Sequence, residues 1–252
     1  MVWNARGLYS KLSEFKNYLY KLRPLIVAVT ETHMNSKFNP RFTNYKVIRK
    51  DREDGYGGLA IIYHQSVTVR VCNLTSHPDR SLETLGIQYD KGGKWETIAL
   101  TYNPCKSIKQ EEFEHLFQQV GDQGIVCGDF NAHHNSWEDN TMAPNPTGRA
   151  LYNSLAASAT LTLMNPIGMP TRIDPSSGKA SNLDLIITTS GYQGSKVTLG
   201  EDLGSDHIPV LLSTETKVPD KCHFRPRWRI DEDNWMDWQQ VIGQQQEVPD
   251  TA

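Results

Sequence analysis

The sequence predicts an α/β fold in which two β-sheets pack together and helices lie outside them. Two observations carry this. Short apolar, β-branched runs recur along the chain, and few segments between them show helical spacing. Val2-Trp3-Asn4 reads as a short strand before a turn at Gly7. Leu8, Leu12, Phe15, Leu19 and Leu22 then recur at helical spacing, and Pro24 ends the helix. Residues 25–30 form an unbroken apolar run and predict a buried strand. Residues 45–49, 58–63 and 67–71 predict further strands, punctuated by Gly55, Gly57 and Gly58. Residues 82–89 and 95–102 predict a hairpin turning at Asp90-Lys91-Gly92-Gly93. Phe113, Leu116, Phe117 and Val120 mark a second helix. A strand over 124–127 runs into Gly128-Asp129-Phe130-Asn131, and a third helix begins near Thr147 with Leu151, Leu155 and Ala156 on its inner face. Strands over 161–164, 183–188, 196–199 and 209–213 complete the set. Asp174-Pro175-Ser176-Ser177-Gly178 has the turn chemistry of a hairpin tip.

The chain has 252 residues, a length that one large domain can fill. After about residue 215 apolar residues thin out and Trp228, Trp235 and Trp238 stand among charges. The folded domain is therefore expected over 1–215, with 216–252 as a linker. There is no apolar leader at the N-terminus, and no apolar run approaches the roughly 18 residues that a membrane span needs, so no membrane partner is expected. The four cysteines are scattered without metal-ligand spacing and read as reduced thiols. Net charge is −3, which argues against a passive nucleic-acid binder. A nuclease whose acidic cluster is neutralised by a cation escapes that argument. Basic groups at Arg41, Arg49, Lys50 and Arg52, and at Lys217, Lys221, Arg225, Arg227 and Arg229, read first as solvated faces.

The chemistry lies where polar residues stop the strands. Asn4, Glu31, Tyr102 with Asn103, and Asp129 with Asn131 each follow an apolar run, and Ser205-Asp206-His207 precedes one. Asp184 lies inside a strand between Leu183 and Leu185, where the pleat points it away from both; buried there, it needs a partner or a cation. As a set these residues suit phosphodiester hydrolysis. Glu31 is a ligand for a hard cation such as Mg²⁺. Asp129 with Asn131 can orient an attacking water. Asn4, Asn131, Tyr102 and His207 can donate to phosphoryl oxygens as charge builds on them. A carboxylate, Asp184 or Asp206, should hold the His207 ring. The adjacent His133 and His134 lack zinc-ligand spacing, which leaves them structural or DNA-side roles.

The motifs Trp3-Asn4-Ala5-Arg6-Gly7-Leu8, Thr30-Glu31-Thr32, Tyr102-Asn103-Pro104, Gly128-Asp129-Phe130-Asn131-Ala132-His133-His134, Pro170-Thr171-Arg172, Leu183-Asp184-Leu185 and Gly204-Ser205-Asp206-His207 occur in this order over residues 2–213. The sequence thereby resembles the endonuclease/exonuclease/phosphatase superfamily, and within it the apurinic-like endonuclease domain of non-LTR retrotransposons of the jockey and I groups. The resemblance implies a four-layer α/β sandwich: two mixed β-sheets face to face, with helices outside. It implies a metal set of Glu31, Asn4 and Asp206, taking Mg²⁺ or in its place Mn²⁺. Asp129 would activate water, Asn131 and Tyr102 would hold the phosphate, and His207 would contact it, oriented by Asp184. Thr171, Arg172, Lys179 and Ser205 would contact DNA, with the 172–181 hairpin lying along it. The implied activity is nicking of double-stranded DNA in the nucleus to leave a 3′-hydroxyl that primes reverse transcription, by a fragment of a polyprotein with a reverse transcriptase region.

Three other readings compete. A repair endonuclease would carry an aromatic and an arginine before the strand aspartate, where this chain has Ala180-Ser181-Asn182-Leu183. A lipid or inositol phosphatase on the same fold would gather basic residues at the site. A catalytically idle nucleic-acid-binding module would not need the intact catalytic set.

Overall fold

The computed structural model describes residues 1–75, 81–139, 143–189, 192 and 194–214. The expected 216–252 linker lies outside the described residues, as do the Lys217–Arg229 basic group and the late tryptophans.

Six strands form the first sheet, in the order β13 (Lys196–Leu199), β14 (Val210–Ser213), β1 (Val2–Asn4), β2 (Ile26–Thr30), β4 (Leu59–His64), β3 (Tyr45–Lys50). The second sheet runs β5 (Val69–Cys72), β6 (Glu83–Asp90), β7 (Trp95–Tyr102), β8 (Gly124–Asp129), β12 (Asp184–Thr188), β9 (Thr162–Leu163). Each is mixed: β1 is parallel to β2 and β7 to β8, and the other pairs are antiparallel. A small hairpin, β10 (Arg172–Ile173) with β11 (Ala180–Ser181), stands apart from both. Helix α1 (Leu12–Leu22) follows a 3₁₀ turn at Tyr9–Lys11. Helices α2 (Gln110–Val120) and α3 (Pro146–Ala156) complete the described elements.

Period-two alternation sorts the strand side chains into layers. Val2, Ala28, Ile61, Ile98, Leu100, Ile125, Cys127 and Ile186 meet between the two sheets. Their sequence neighbours Trp3, Val27, Val29 and Ile62 pack with Phe15 and Leu19 of α1, while Ala99, Val126, Leu185 and Ile187 pack with Phe113, Leu116 and Val120 of α2 and Leu151 of α3. Strands buried on both faces explain why their sequences read as unbroken apolar runs rather than alternating ones. The expected four layers follow: helix, sheet, sheet, helices.

One helix face differs from expectation. In α3, Leu151 is buried, but Ala156 is exposed and Ser154 takes the inward position, bonding to the Ala150 and Gln110 carbonyls. A hydroxyl satisfied within its own helix can sit where apolar periodicity would place a methyl group.

The start of α3 joins the fold to the site. Asn145 caps it, its Oδ1 accepting from Gly148 N at 2.7 Å and His133 N at 3.1 Å, while Nδ2 donates to Asn131 O at 2.9 Å. Helix and loop approach so closely that a Cβ on Gly148 would lie 1.9 Å from His133 O. Asn145→Ala is expected to cost about 2–3 kcal/mol, lowering Tm by roughly 5–10 °C. Asn145→Asp, which keeps the acceptor, is expected to lose less than half as much. Thermal melts of both variants check this, and an unchanged Tm in the alanine variant would refute the assigned clamp.

Candidate active site

The inter-sheet face ends in polar residues at one rim. Two positions beyond Val2 lies Asn4, beyond Leu100 Tyr102, beyond Cys127 Asp129, and two before Ile186 Asp184. All four share the parity of the core residues they extend. The register brings them together: Asp129 is the direct partner of Tyr102 on one side and of Asp184 on the other. Gly128 permits this approach, since its φ is +140° and a Cβ there would fall 1.8 Å from Thr101 O. Glu31, Asn131 and Arg6, on the flanking loops, adopt left-handed backbone conformations that cost energy for non-glycine residues and cluster at functional sites.

Asp184 is completely buried, and its Oδ2 lies 2.7 Å from His207 Nδ1. Of the two carboxylates that the sequence left open as holders of this ring, Asp184 takes the role. The other ring nitrogen, Nε2, faces Asp129 Oδ2 at 4.0 Å, beyond hydrogen-bond reach. Trp3 Nε1 donates to His207 O and fixes its backbone. Asn4 donates through Nδ2 to Asp129 Oδ2 at 2.8 Å and to Glu31 Oε1 at 2.7 Å, and its Oδ1 accepts from Arg6 N. Asn131 bonds to Asp129 through its backbone N at 3.0 Å, and its side chain reaches Asn103 O.

The electrostatics follow from burial. Desolvation, then the Asp184 charge, pushes Asp129 well above the usual carboxylate range, against His207 and the Asn4 bond. Burial opposes charge on His207, but the charge and hydrogen bond of Asp184, then Asp129 and Asp206, push it up to about 9. Burial, then Glu31 and Asp129, raises the Tyr102 phenol, so that it serves as a donor.

The remaining expected residues divide. Asp206 is held through Oδ2 by Arg6 at 2.6 Å and Arg172 at 3.0 Å, and despite burial the Arg172 bond, then His207 and Arg6, hold its pKa low. Thr171, expected to touch DNA, is instead sealed: it is fully buried, and its hydroxyl oxygen accepts from Leu183 N and Asp184 N, setting the entry of β12. Ser205, also expected at DNA, has its hydroxyl committed inward, donating to Asn4 O and accepting from His207 N. Arg172 and Lys179 lie on the hairpin as expected, Lys179 exposed and Arg172 half-buried. The hairpin base is tied to the site, with Ile173 N bonded to Asp206 O and Ile208 N to Thr171 O. Sequence reasoning gave Arg6 no role, and its place inside the first motif was the available signal.

Among the described residues, Asp129, Asp184 and His207 bring ligand atoms within 4.8 Å of one another. A divalent cation fits the wider site. Buried Oδ1 atoms of both Asp184 and Asp206 have no hydrogen-bond partner, and carboxylate oxygens are the donors a hard cation takes. The raised Asp129 reflects its burial and, after that, the neighbouring Asp184 charge. The expected trio of Glu31, Asn4 and Asp206 is arranged with Glu31 against Asn4, while the Asn4 amide is engaged at both ends and Asp206 keeps only Oδ1 free.

Two facing mixed sheets with a carboxylate–imidazole cluster at one rim give the chain the fold of the endonuclease/exonuclease/phosphatase superfamily, to whose members it is similar. Within it, the chain is similar to the endonuclease domains of non-LTR retrotransposons. The endonuclease-reverse transcriptase family model matches residues 97–211. The probable RNA-directed DNA polymerase from transposon BS of Drosophila melanogaster is 26% identical over 246 residues, covering 91% of this chain. The RNA-directed DNA polymerase from mobile element jockey of Drosophila melanogaster is 25% identical over 244 residues, covering 88%. The chain spans 25% of the length of each of these relatives. Among solved structures, the endonuclease domain of TRAS1, a telomere-specific non-LTR retrotransposon, superposes with a TM-score of 0.63 at 17% identity, covering 85% of this chain and 97% of that one. An AP endonuclease from Archaeoglobus fulgidus gives 0.63 at 17% identity, covering 85% and 98%.

Binding of Mg²⁺ at a hundred times its Kd is expected to stabilise the fold by about 2.7 kcal/mol, or roughly 5–10 °C in Tm. Glu31→Gln is expected to remove at least half of that shift. Melts with and without Mg²⁺ test it, and a Tm indifferent to the ion would refute the site.

Proposed function

We propose that the chain is a metal-dependent DNA endonuclease that cuts one strand of duplex DNA and leaves a 3′-hydroxyl and a 5′-phosphate. The observation that carries this is the line of groups Asp184–His207–Asp129, joined through Asn4 to Glu31 at one rim of the sandwich. Asp129, pushed above the usual carboxylate range, is suited to take a proton from water near neutral pH. Asn131 and Asn4 hold it in place. The water oxygen bonds to phosphorus, its proton passes to Asp129, and the bond from phosphorus to the 3′-oxygen breaks, that oxygen leaving with the bond pair and taking a proton from solvent to become the hydroxyl. The 4.0 Å gap leaves His207 Nε2–H free to donate to a phosphoryl oxygen, with the imidazolium stabilised by Asp184. Tyr102 and Asn131 face the same phosphate. Glu31, with the free Oδ1 of Asp206, would hold Mg²⁺ or Mn²⁺, which supplies Lewis acidity to the phosphoryl group.

The similarity to transposon RNA-directed DNA polymerases supports the biological reading. The 3′-hydroxyl primes a reverse transcriptase region of the same polyprotein, on chromosomal DNA in the nucleus. No helix among the described residues is long and apolar enough to cross a membrane.

Supercoiled plasmid with Mg²⁺ is expected to be nicked to the open circle, with ends that a polymerase extends directly, and excess EDTA is expected to stop the reaction. His207→Ala and Asp129→Ala are each expected to lose about 10²-fold or more in rate with melts near wild type. Near-normal rates in either variant would overturn the roles of these two side chains.

The repair reading has a specific observation against it. Asn182 is buried, and its side chain donates to Trp137 O and Pro166 O, bracing the loop rather than closing a pocket with an aromatic ring. Matched oligonucleotides with and without one abasic site are expected to be cut at rates within about a hundredfold of one another, since contact with a single base is worth about 1–3 kcal/mol. A preference of several further orders of magnitude would place the chain with repair enzymes.

A further inference from the structure

We propose that His133 and Glu138 form a second carboxylate-held imidazole, built to bind a DNA phosphate flanking the one that is cut. The inference rests on the nuclease reading above and adds a contact to it. His133 Nδ1 lies 2.9 Å from both Oε1 and Oε2 of Glu138. Glu138 is 3% exposed and also accepts from Asn182 N, two residues before Asp184. The arrangement repeats that of Asp184 and His207, in which a buried carboxylate takes Nδ1 and leaves Nε2 to face the substrate.

The placement is rigid. His133 lies two residues beyond Asn131, and Asn145 clamps both, bonding to the His133 N–H and carbonyl and to Asn131 O. Gly148 lies so close to the His133 carbonyl that no side chain fits between helix and loop. The imidazole is thus held at a set offset from Asn131, a residue of the cutting site. Yet about a quarter of the ring remains open, at 24% side-chain exposure, which a purely internal brace would not need.

The neighbouring histidine shows the contrast. His134 stacks on Tyr152 at 4.2 Å and packs on Trp137 at 5.1 Å, and its Nδ1 accepts from Ser136 N. It is a packing residue. His133 keeps its outer nitrogen unengaged among the described residues. Its Nδ1 must carry a hydrogen to bond an ionised carboxylate, so Nε2 is the polar atom it offers outward. A phosphodiester has only acceptors, so the proposed contact is one in which Nε2 donates, with a hydrogen on each ring nitrogen. That adds one positive charge to the DNA face of a chain whose net charge is −3.

The test is binding of a fluorescent duplex oligonucleotide, followed by anisotropy in EDTA so that cutting is stopped, over a series of salt concentrations. Wild type, His133→Gln and His133→Arg are compared, with melts of each. His133→Gln is expected to weaken binding about tenfold, the size of a hydrogen bond to a charged group, and to reduce the slope of log K against log salt by about 0.9. His133→Arg, which keeps a cation there, is expected to restore the slope. An unchanged slope in His133→Gln would overturn the contact, whether its affinity is unchanged or falls together with Tm. Failure of the arginine variant to recover the slope, with its fold intact, would overturn it as well. If the wild-type chain neither binds nor nicks duplex DNA, the nuclease reading falls, and this inference with it.

Discussion

The site depends on a parity constraint. Along each strand the side chains that point between the sheets are every second residue, and at one rim that series changes from apolar to polar. Val2 gives way to Asn4, Cys127 to Asp129 and Ile186 to Asp184. Because the register pairs Asp129 with both Tyr102 and Asp184, the reactive groups are fixed by the same hydrogen-bond ladder that holds the core. A one-residue slip of any of these strands would send its reactive group to the other face together with its core residues.

Bringing buried carboxylates together is costly, and the surroundings show how the cost is met. Asp184 is hydrogen-bonded to the His207 ring and Asp206 to two guanidinium groups, whereas Asp129 is hydrogen-bonded only by amides, with His207 Nε2 4.0 Å away. Asp129 is therefore the least compensated, and its raised pKa follows. The carboxylate with no cation in hydrogen-bond reach is the one best placed to accept a proton, so its electrostatic disadvantage and its chemical use have one cause.

Much of this was legible in the sequence. Strands buried on both faces announce themselves as apolar runs, so a carboxylate inside one, such as Asp184, stands out. The ordered motifs carried the resemblance to the superfamily, and the hairpin tip was visible in Asp174-Pro175-Ser176-Ser177-Gly178. What was not legible depends on three-dimensional register. Nothing local tells whether Asp184 or the adjacent Asp206 holds His207; that is decided by where β12 lies beside β8. The resemblance implied DNA contacts for Thr171 and Ser205, whose hydroxyls suit either DNA or backbone, and only the fold shows the backbone groups that take them up. Ala156 was misjudged because helical periodicity counts methyl groups and does not foresee a serine that satisfies itself.

The tip of the β10–β11 hairpin has a further consequence. Asp174 Oδ1 accepts from the backbone N and the hydroxyl of both Ser176 and Ser177, and Asp174 N and Gly178 N close the turn on Lys179 O and Asp174 O. Every one of these bonds begins and ends within the turn, whereas the base is tied to residues 206–208. The molecule therefore contains an interchangeable part mounted on a fixed socket. Replacing the tip would present a different surface while leaving the bonds of the base and the site in place.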